Sequence, residues 1–128
     1  MIYVDTSALL KLVHAEPESM PLRTWLARHP DDLLSSALIR AEARRALLRN
    51  DPPALPQLAR TLAFVAQIPV SEAILDRAAM LPDPGLRTHD AIHLASAELT
   101  PAVTTVLVYD KKLAEAARKM GMTVASPA

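Results

Sequence analysis

Twice in this chain a short apolar run ends on an aspartate and passes at once into a helix-forming segment. Ile2-Tyr3-Val4 stops at Asp5, before Thr6, Ser7 and Ala8-Leu9-Leu10; Val103 to Tyr109 stops at Asp110, before Lys111 to Met120. Short apolar runs that feed directly into helices read as buried strands of βα units, and such units build a mostly parallel sheet between helix layers. An α/β sheet places its ligands beyond the carboxyl ends of its strands. A desolvated carboxylate is costly unless it is paired or binds a cation. Two aspartates at two strand ends therefore predict a shared cation site.

The segments between these landmarks keep the same alternation. A helix is predicted from Ser7 to about Val13, and a second opens at Pro17-Glu18 and runs through Leu22, Trp25 and Leu26. Asp32 to Ser35 reads as a strand. Ser36 is the expected N-cap of a helix reaching Arg49, stopped by Asn50-Asp51-Pro52-Pro53. Ala54 to Gln67 reads as another helix, Ile68-Pro69-Val70 as a strand or crossover, and Ser71 as the cap of a helix to Leu81. After the turn cluster Pro82-Asp83-Pro84-Gly85, Thr88 is the expected cap of a helix over Asp90 to Glu98. The last helix ends at Gly121, a residue suited to C′, and Met122 to Ala125 forms an expected edge strand.

Composition removes several classes of function. There is no cysteine, which excludes disulfides, thiolate catalysis and Cys-ligated zinc. Two glycines, Gly85 and Gly121, are too few for a P-loop or a dinucleotide fingerprint. Met1-Ile2-Tyr3-Val4-Asp5 has no basic n-region and reaches an acid too early for a signal peptide, so the expected setting is the cytoplasm. Fourteen basic residues balance fourteen acidic ones, so a nucleic-acid partner must be held by a local patch. The 128 residues are expected to form one domain, residues 1–128.

Two further acids stand in apolar surroundings. Glu42 lies four residues after Leu38 and four before Ala46, a spacing that aligns it with an apolar helix face. Asp90 sits in a first helical turn, where its charge suits the helix dipole, within the apolar Ala91-Ile92-His93-Leu94-Ala95. Each acid has an ordinary explanation: a boundary glutamate paired with an arginine, a helix-start aspartate, a capping residue after a strand. One shared cause accounts for all four more simply. His93, three residues after Asp90 on a similar helical face, reads as a hydrogen-bonded structural histidine, with orienting an acid or binding phosphate as the alternative, and His14, His29 and His89 as surface residues.

These residues carry a resemblance. Tyr3-Val4-Asp5-Thr6-Ser7-Ala8-Leu9-Leu10-Lys11-Leu12, Ser36 to Ala46 around Glu42, Leu86 to Ala95 around Asp90, and Val108-Tyr109-Asp110-Lys111-Lys112-Leu113 occur in the order found in PIN-domain ribonucleases. The chain resembles the VapC toxins of VapBC toxin–antitoxin modules over essentially its whole length. The resemblance implies a PIN-like three-layer α/β/α fold with a short parallel central sheet flanked by helices. It implies an endoribonuclease in which Asp5, Glu42, Asp90 and Asp110 hold Mg2+ or Mn2+, with Thr6, Ser7 and Thr88 in support. Hard cations of this kind prefer carboxylate and water oxygens, and hydrolysis by metal-activated water would leave a 5′-phosphate and a 3′-hydroxyl. His89 departs from the family, where this position is often apolar.

The same resemblance implies the toxin of a type II toxin–antitoxin system, neutralised by a VapB-like antitoxin, homodimeric and hetero-oligomeric with it. Antitoxins of this family commonly insert a basic side chain among the acids. Arg40, Arg44, Arg45 and Arg49 form a basic cluster on the Glu42 helix that could meet RNA phosphates, with Arg87 and Lys11 near other motifs. Arg40, Arg44 and Arg87 are the expected contacts for RNA or antitoxin, with Trp25, and Met20, Leu22, Trp25 and Leu26 an expected groove for an antitoxin helix. Two other readings fit less well. Phosphoryl-accepting receivers need adjacent acids after the first strand, and aspartyl phosphatases a second Asp two residues on; here Thr6 and Ser7 follow Asp5. A non-catalytic module using its sheet edge would show no carboxylate-dependent binding of Mn2+.

Overall fold

The computed structural model describes residues 1–128. Strand β1 is Ile2–Val4, and its alternation sets the layers. Ile2 and Val4 join one apolar cluster with Leu9 and Leu12, whereas Tyr3 joins another with Leu94, Val106 and Leu113. Helix α1 (Thr6–Val13), α2 (Ser19–Arg28), α3 (Ile39–Asn50) and α4 (Leu55–Leu62) contribute to the first cluster, as Leu9, Leu22, Ala43 and Leu58 show. Helices α6 (Thr88–Glu98) and α7 (Lys111–Lys119) cover the opposite face through Leu94, Leu113 and Ala117. Helix α5 (Glu72–Met80) packs on α6 through Ile74, Ile92 and Ala95. The result is the expected α/β/α sandwich.

The remaining strands are β2 (Leu33–Ser36), β3 (Val65–Ile68), β4 (Thr105–Leu107) and β5 (Val124–Ala125). All pair in parallel, in the order β3-β2-β1-β4-β5. The chain builds outward from β1 to β3, then crosses over to place β4 on the other side of β1. That reversal of direction opens a crevice beyond the carboxyl ends of β1 and β4. Asp5 and Asp110 stand at this crevice. No helix is long and apolar enough to cross a membrane.

Several local expectations are corrected. The segment expected to be helical as far as Gln67 stops at Leu62, after a short 3-10 turn over Pro52–Ala54, and Val65–Ile68 becomes a strand. Four parallel residue pairs from Leu33↔Val65 to Ser36↔Ile68 explain the switch, because pairing with β2 outweighs the local helical pattern. Ser36 ends β2 instead of starting α3; its hydroxyl accepts the Leu38 N–H at 3.1 Å, and the helix begins one turn later. Thr88 does not cap α6. Arg87 has the extended backbone of the cap position (φ −71°, ψ 158°), and no side chain closes that end. β4 is shorter than the apolar run that announces it.

Candidate active site

Asp5 is the N-cap of α1 and only 5% exposed. Its Oδ2 accepts the Ser7 N–H at 3.2 Å and the Ser7 hydroxyl at 2.8 Å. The Ser7 oxygen in turn accepts the Tyr109 N–H at 2.9 Å, so one hydroxyl connects the ends of β1 and β4. Asp110 repeats the capping geometry on α7, with Oδ1 accepting the Leu113 N–H at 2.9 Å. A strand that ends on an extended residue and turns straight into a helix presents its capping carboxylate at the crevice, which is why the sequence pattern recurs.

Glu42 comes from α3. The buried stripe of that helix is Ile39, Ala43 and Leu47. Glu42 therefore keeps its expected alignment with Leu38 and Ala46, but that face is half-buried and lies one position off the buried stripe. Its own face continues through Arg45, Ala46 and Arg49, all of which line the same cleft. Glu42 Oε1 accepts the Thr6 hydroxyl at 2.9 Å and meets His93 Nε2 at 2.6 Å. His93 is buried on α6; its Nδ1 lies 2.7 Å from the Tyr3 hydroxyl, which also accepts the Ser36 N–H at 3.1 Å.

Burial alone pushes the Glu42 carboxyl up and the His93 imidazole down. Their mutual hydrogen bond and attraction reverse both, leaving Glu42 below its ordinary range and His93 above its own. Both shifts favour the charged forms of the pair. Asp5 Oδ1, 3.8 Å from His93 Nε2, adds to the positive preference of the ring. Burial likewise raises the Tyr3 phenol, which keeps the hydroxyl neutral behind the histidine.

Asp90 is held differently. It stands in the first turn of α6, with His89 Nε2 3.3 Å from its Oδ1. Burial raises its carboxyl above the usual range; His89 and Arg87 oppose that rise, while Asp5 and Asp110 add to it. Asp90 thus lacks enough positive charge around it, the condition under which a bound cation is most favourable.

All four acids line one open cleft of about 620 Å3, together with Thr6, Ser7, Arg45, Arg49, Arg87 and His89. No three of its acidic and histidine side chains are grouped tightly enough to enclose an ion as they stand. Asp5, Glu42 and Asp110 each have one oxygen committed to protein donors, which leaves the second oxygen of each for a ligand. The acids pair only with histidines: His93 with Asp5 and Glu42, His89 with Asp90 and, at 4.0 Å, Glu42.

The structure sorts the other expected residues. Thr6 and Ser7 brace Glu42 and Asp5, and Arg87 lines the cleft; Thr88 faces an apolar pocket between α5 and α6 instead. Arg40 and Arg44 are exposed on α3 outside the cleft, where Arg45 and Arg49 take the lining positions. Their spacing of three and seven residues from Glu42 was the available signal. His89, read as a surface residue able to alter the cleft's rim, lines the cleft with a partly exposed side chain. Of the expected antitoxin groove, Leu22 is buried, Met20 is 70% exposed, and Trp25 packs on the core and stacks on His29. Leu26 alone of the four lines a groove, beside Phe64 and Arg60.

An acidic crevice at the strand-order reversal of a five-stranded parallel sheet defines a class of nuclease-like domain, and the sequence comparisons agree. The PIN domain family matches residues 2–119, and the chain belongs to this family, within its VapC-type branch. It is 44% identical over 128 residues to Ribonuclease VapC46 of Mycobacterium tuberculosis, covering 98% of this chain and 97% of that protein. It is 38% identical over 131 residues to Ribonuclease VapC35 of the same species, at 99% and 97% coverage. A solved toxin–antitoxin complex from Klebsiella pneumoniae shares the fold, with a TM-score of 0.76 at 20% identity, covering 100% of this chain and 98% of that one.

Proposed function

We propose that this chain is a divalent-metal-dependent endoribonuclease and the toxin of a type II toxin–antitoxin pair. In this reading Asp5, Glu42, Asp90 and Asp110 hold Mg2+ or Mn2+ against an RNA phosphate. The observation that carries it is the convergence of four carboxylates from four separate elements on one cleft, in a chain of the VapC-type branch. The donor set fits a hard cation, since carboxylate and hydroxyl oxygens outnumber the one cleft imidazole, that of His89. When bound, such an ion supplies a nucleophilic water at neutral pH and neutralises charge on the phosphoryl group.

The protein's own groups have distinct parts. His93, clamped by Tyr3, fixes the rotamer of Glu42 and supplies a counter-charge that keeps it ionised. Ser7 fixes Asp5. Burial and the neighbouring acids disfavour the Asp90 carboxylate, and a cation would relieve that cost, so occupancy would be coupled to pH. Chain unity over residues 1–128, a cytoplasmic setting, a homodimer and a VapB-like antitoxin that silences the cleft belong to the same proposal.

The test is cleavage of total RNA by the purified chain. Cutting is expected with Mn2+ or Mg2+, a stop with EDTA, and loss in Asp5→Ala and Asp90→Asn. Undiminished cutting in both variants, or in EDTA, would overturn the reading. Co-expression with the neighbouring antitoxin gene should abolish the activity and yield a stable complex.

A further inference from the structure

Arg45, Arg49 and Arg87 share a cleft with four carboxylates, yet the ion pairs of Asp5, Glu42 and Asp90 are all made with histidines. Arg45 and Arg49 stand four residues apart on α3, about 6 Å along the helix axis, a rise comparable to the step between successive phosphates of a nucleic-acid strand. Arg87 lines the same cleft from a separate element, the cap of α6. Surface arginines beside acids ordinarily pair with them; here the carboxylates already have donors, and the guanidinium forks are left for another anion.

We propose that Arg45 and Arg49 from α3 and Arg87 from the cap of α6 are positioning residues that grip backbone phosphates of a single RNA strand, flanking the one held over the acids. The inference rests on the nuclease reading and deepens it. A guanidinium offers a planar fork that fits a phosphate bidentately. The arrangement also answers an electrostatic difficulty. A polyanion does not enter a cleft floored by four carboxylates unless its walls are positive, and whole-chain charge, which is balanced, supplies nothing. The walls contact phosphates and carry no base information, so the three arginines contribute to affinity and register more than to sequence choice.

The experiment measures binding of a short fluorescent single-stranded RNA in EDTA across a salt series, for the full chain and for Arg45→Gln, Arg49→Gln, Arg87→Gln and the remote Arg28→Gln. Each cleft substitution is expected to make the slope of log K against log salt shallower by about 0.7 and to weaken binding about fivefold at 0.1 M salt. Arg28→Gln should match the parent. In cleavage with Mn2+, the loss should fall on KM more than on kcat, and Arg45→Lys should restore the slope while leaving KM raised. All four side chains are exposed, and coincident melting curves check that the variants fold. Unchanged slopes and KM in a chain that still cuts RNA would overturn this inference alone, as would variants defective only in capturing the antitoxin. Arginine-dependent slopes in a chain that never cuts RNA would instead sink the nuclease reading and leave the phosphate grip standing.

Discussion

The two sides of the cleft are built on different principles. On one side Asp5 and Glu42 are braced by Ser7, Thr6 and a buried histidine that is itself anchored on Tyr3. On the other, Asp90 and Asp110 have only a partly exposed His89 and a backbone N–H. The braced side keeps its charge through protein partners. The open side keeps Asp90 ionised only against burial and two like charges. If the cleft holds a cation as proposed, this contrast makes its occupancy depend on pH through the open side.

The sharpest break of this contrast is a pair of isosteric changes. Glu42→Gln and Asp90→Asn should both abolish metal-dependent cleavage, yet shift stability in opposite directions. Glu42→Gln leaves the His93 cation buried without its partner and should cost about 1–3 kcal/mol in urea unfolding. Asp90→Asn removes a charge that the fold disfavours and should raise the melting temperature at neutral pH by a few degrees. A loss of stability in Asp90→Asn would erase the distinction.

The second test removes support without touching a carboxylate. Tyr3→Phe leaves the buried His93 Nδ1 and the Ser36 N–H short of a partner, for about 1–3 kcal/mol of stability. Loss of such an orienting partner should weaken Mn2+ affinity or activity about 10- to 100-fold. Calorimetric titration with Mn2+ reads that change directly.

The third test uses pH. The lowered Glu42 contributes stability that is present above the ordinary glutamate range and lost as pH falls through its folded value. The raised His93 contributes stability present below the ordinary histidine range and lost as pH rises through its folded value. The raised Asp90 opposes Glu42: it lowers stability as pH climbs through its own folded value. Added Mn2+ should therefore stabilise the fold by about 2.7 kcal/mol at a hundredfold excess over the Kd at pH 7, and the same concentration should raise the melting temperature less at pH 5. EDTA should remove the difference.

How far the sequence disclosed this site follows from range. Asp5 and Asp110 were legible because strand, acid and helix are adjacent in the chain, and Glu42 and Asp90 because charges among apolar neighbours stand out. Helices α1, α5 and α7 carried their own caps and periods. The alliance of Tyr3, His93 and Glu42 was not legible: its members lie 90 and 51 residues apart, and nothing local in α6 tells His93 what it faces. The same holds for β3, where local composition favours helix and only the waiting edge of β2 makes a strand. The basic cluster Arg40, Arg44, Arg45 and Arg49 is visible in the sequence, but which of its members line the cleft is decided by the packing of Ile39, Ala43 and Leu47.

The smallest change with a readable effect is Ser7→Ala. It deletes the hydroxyl that donates to Asp5 and accepts the Tyr109 N–H, for about 1 kcal/mol of stability. That hydroxyl is a spacer bar between neighbouring strand ends. While it is in place, the gap separating the first and last of the four cleft acids is gauged by a single oxygen atom; without it, two loops are free to drift apart, and the opening they frame loses its calibrated width before it loses any charge.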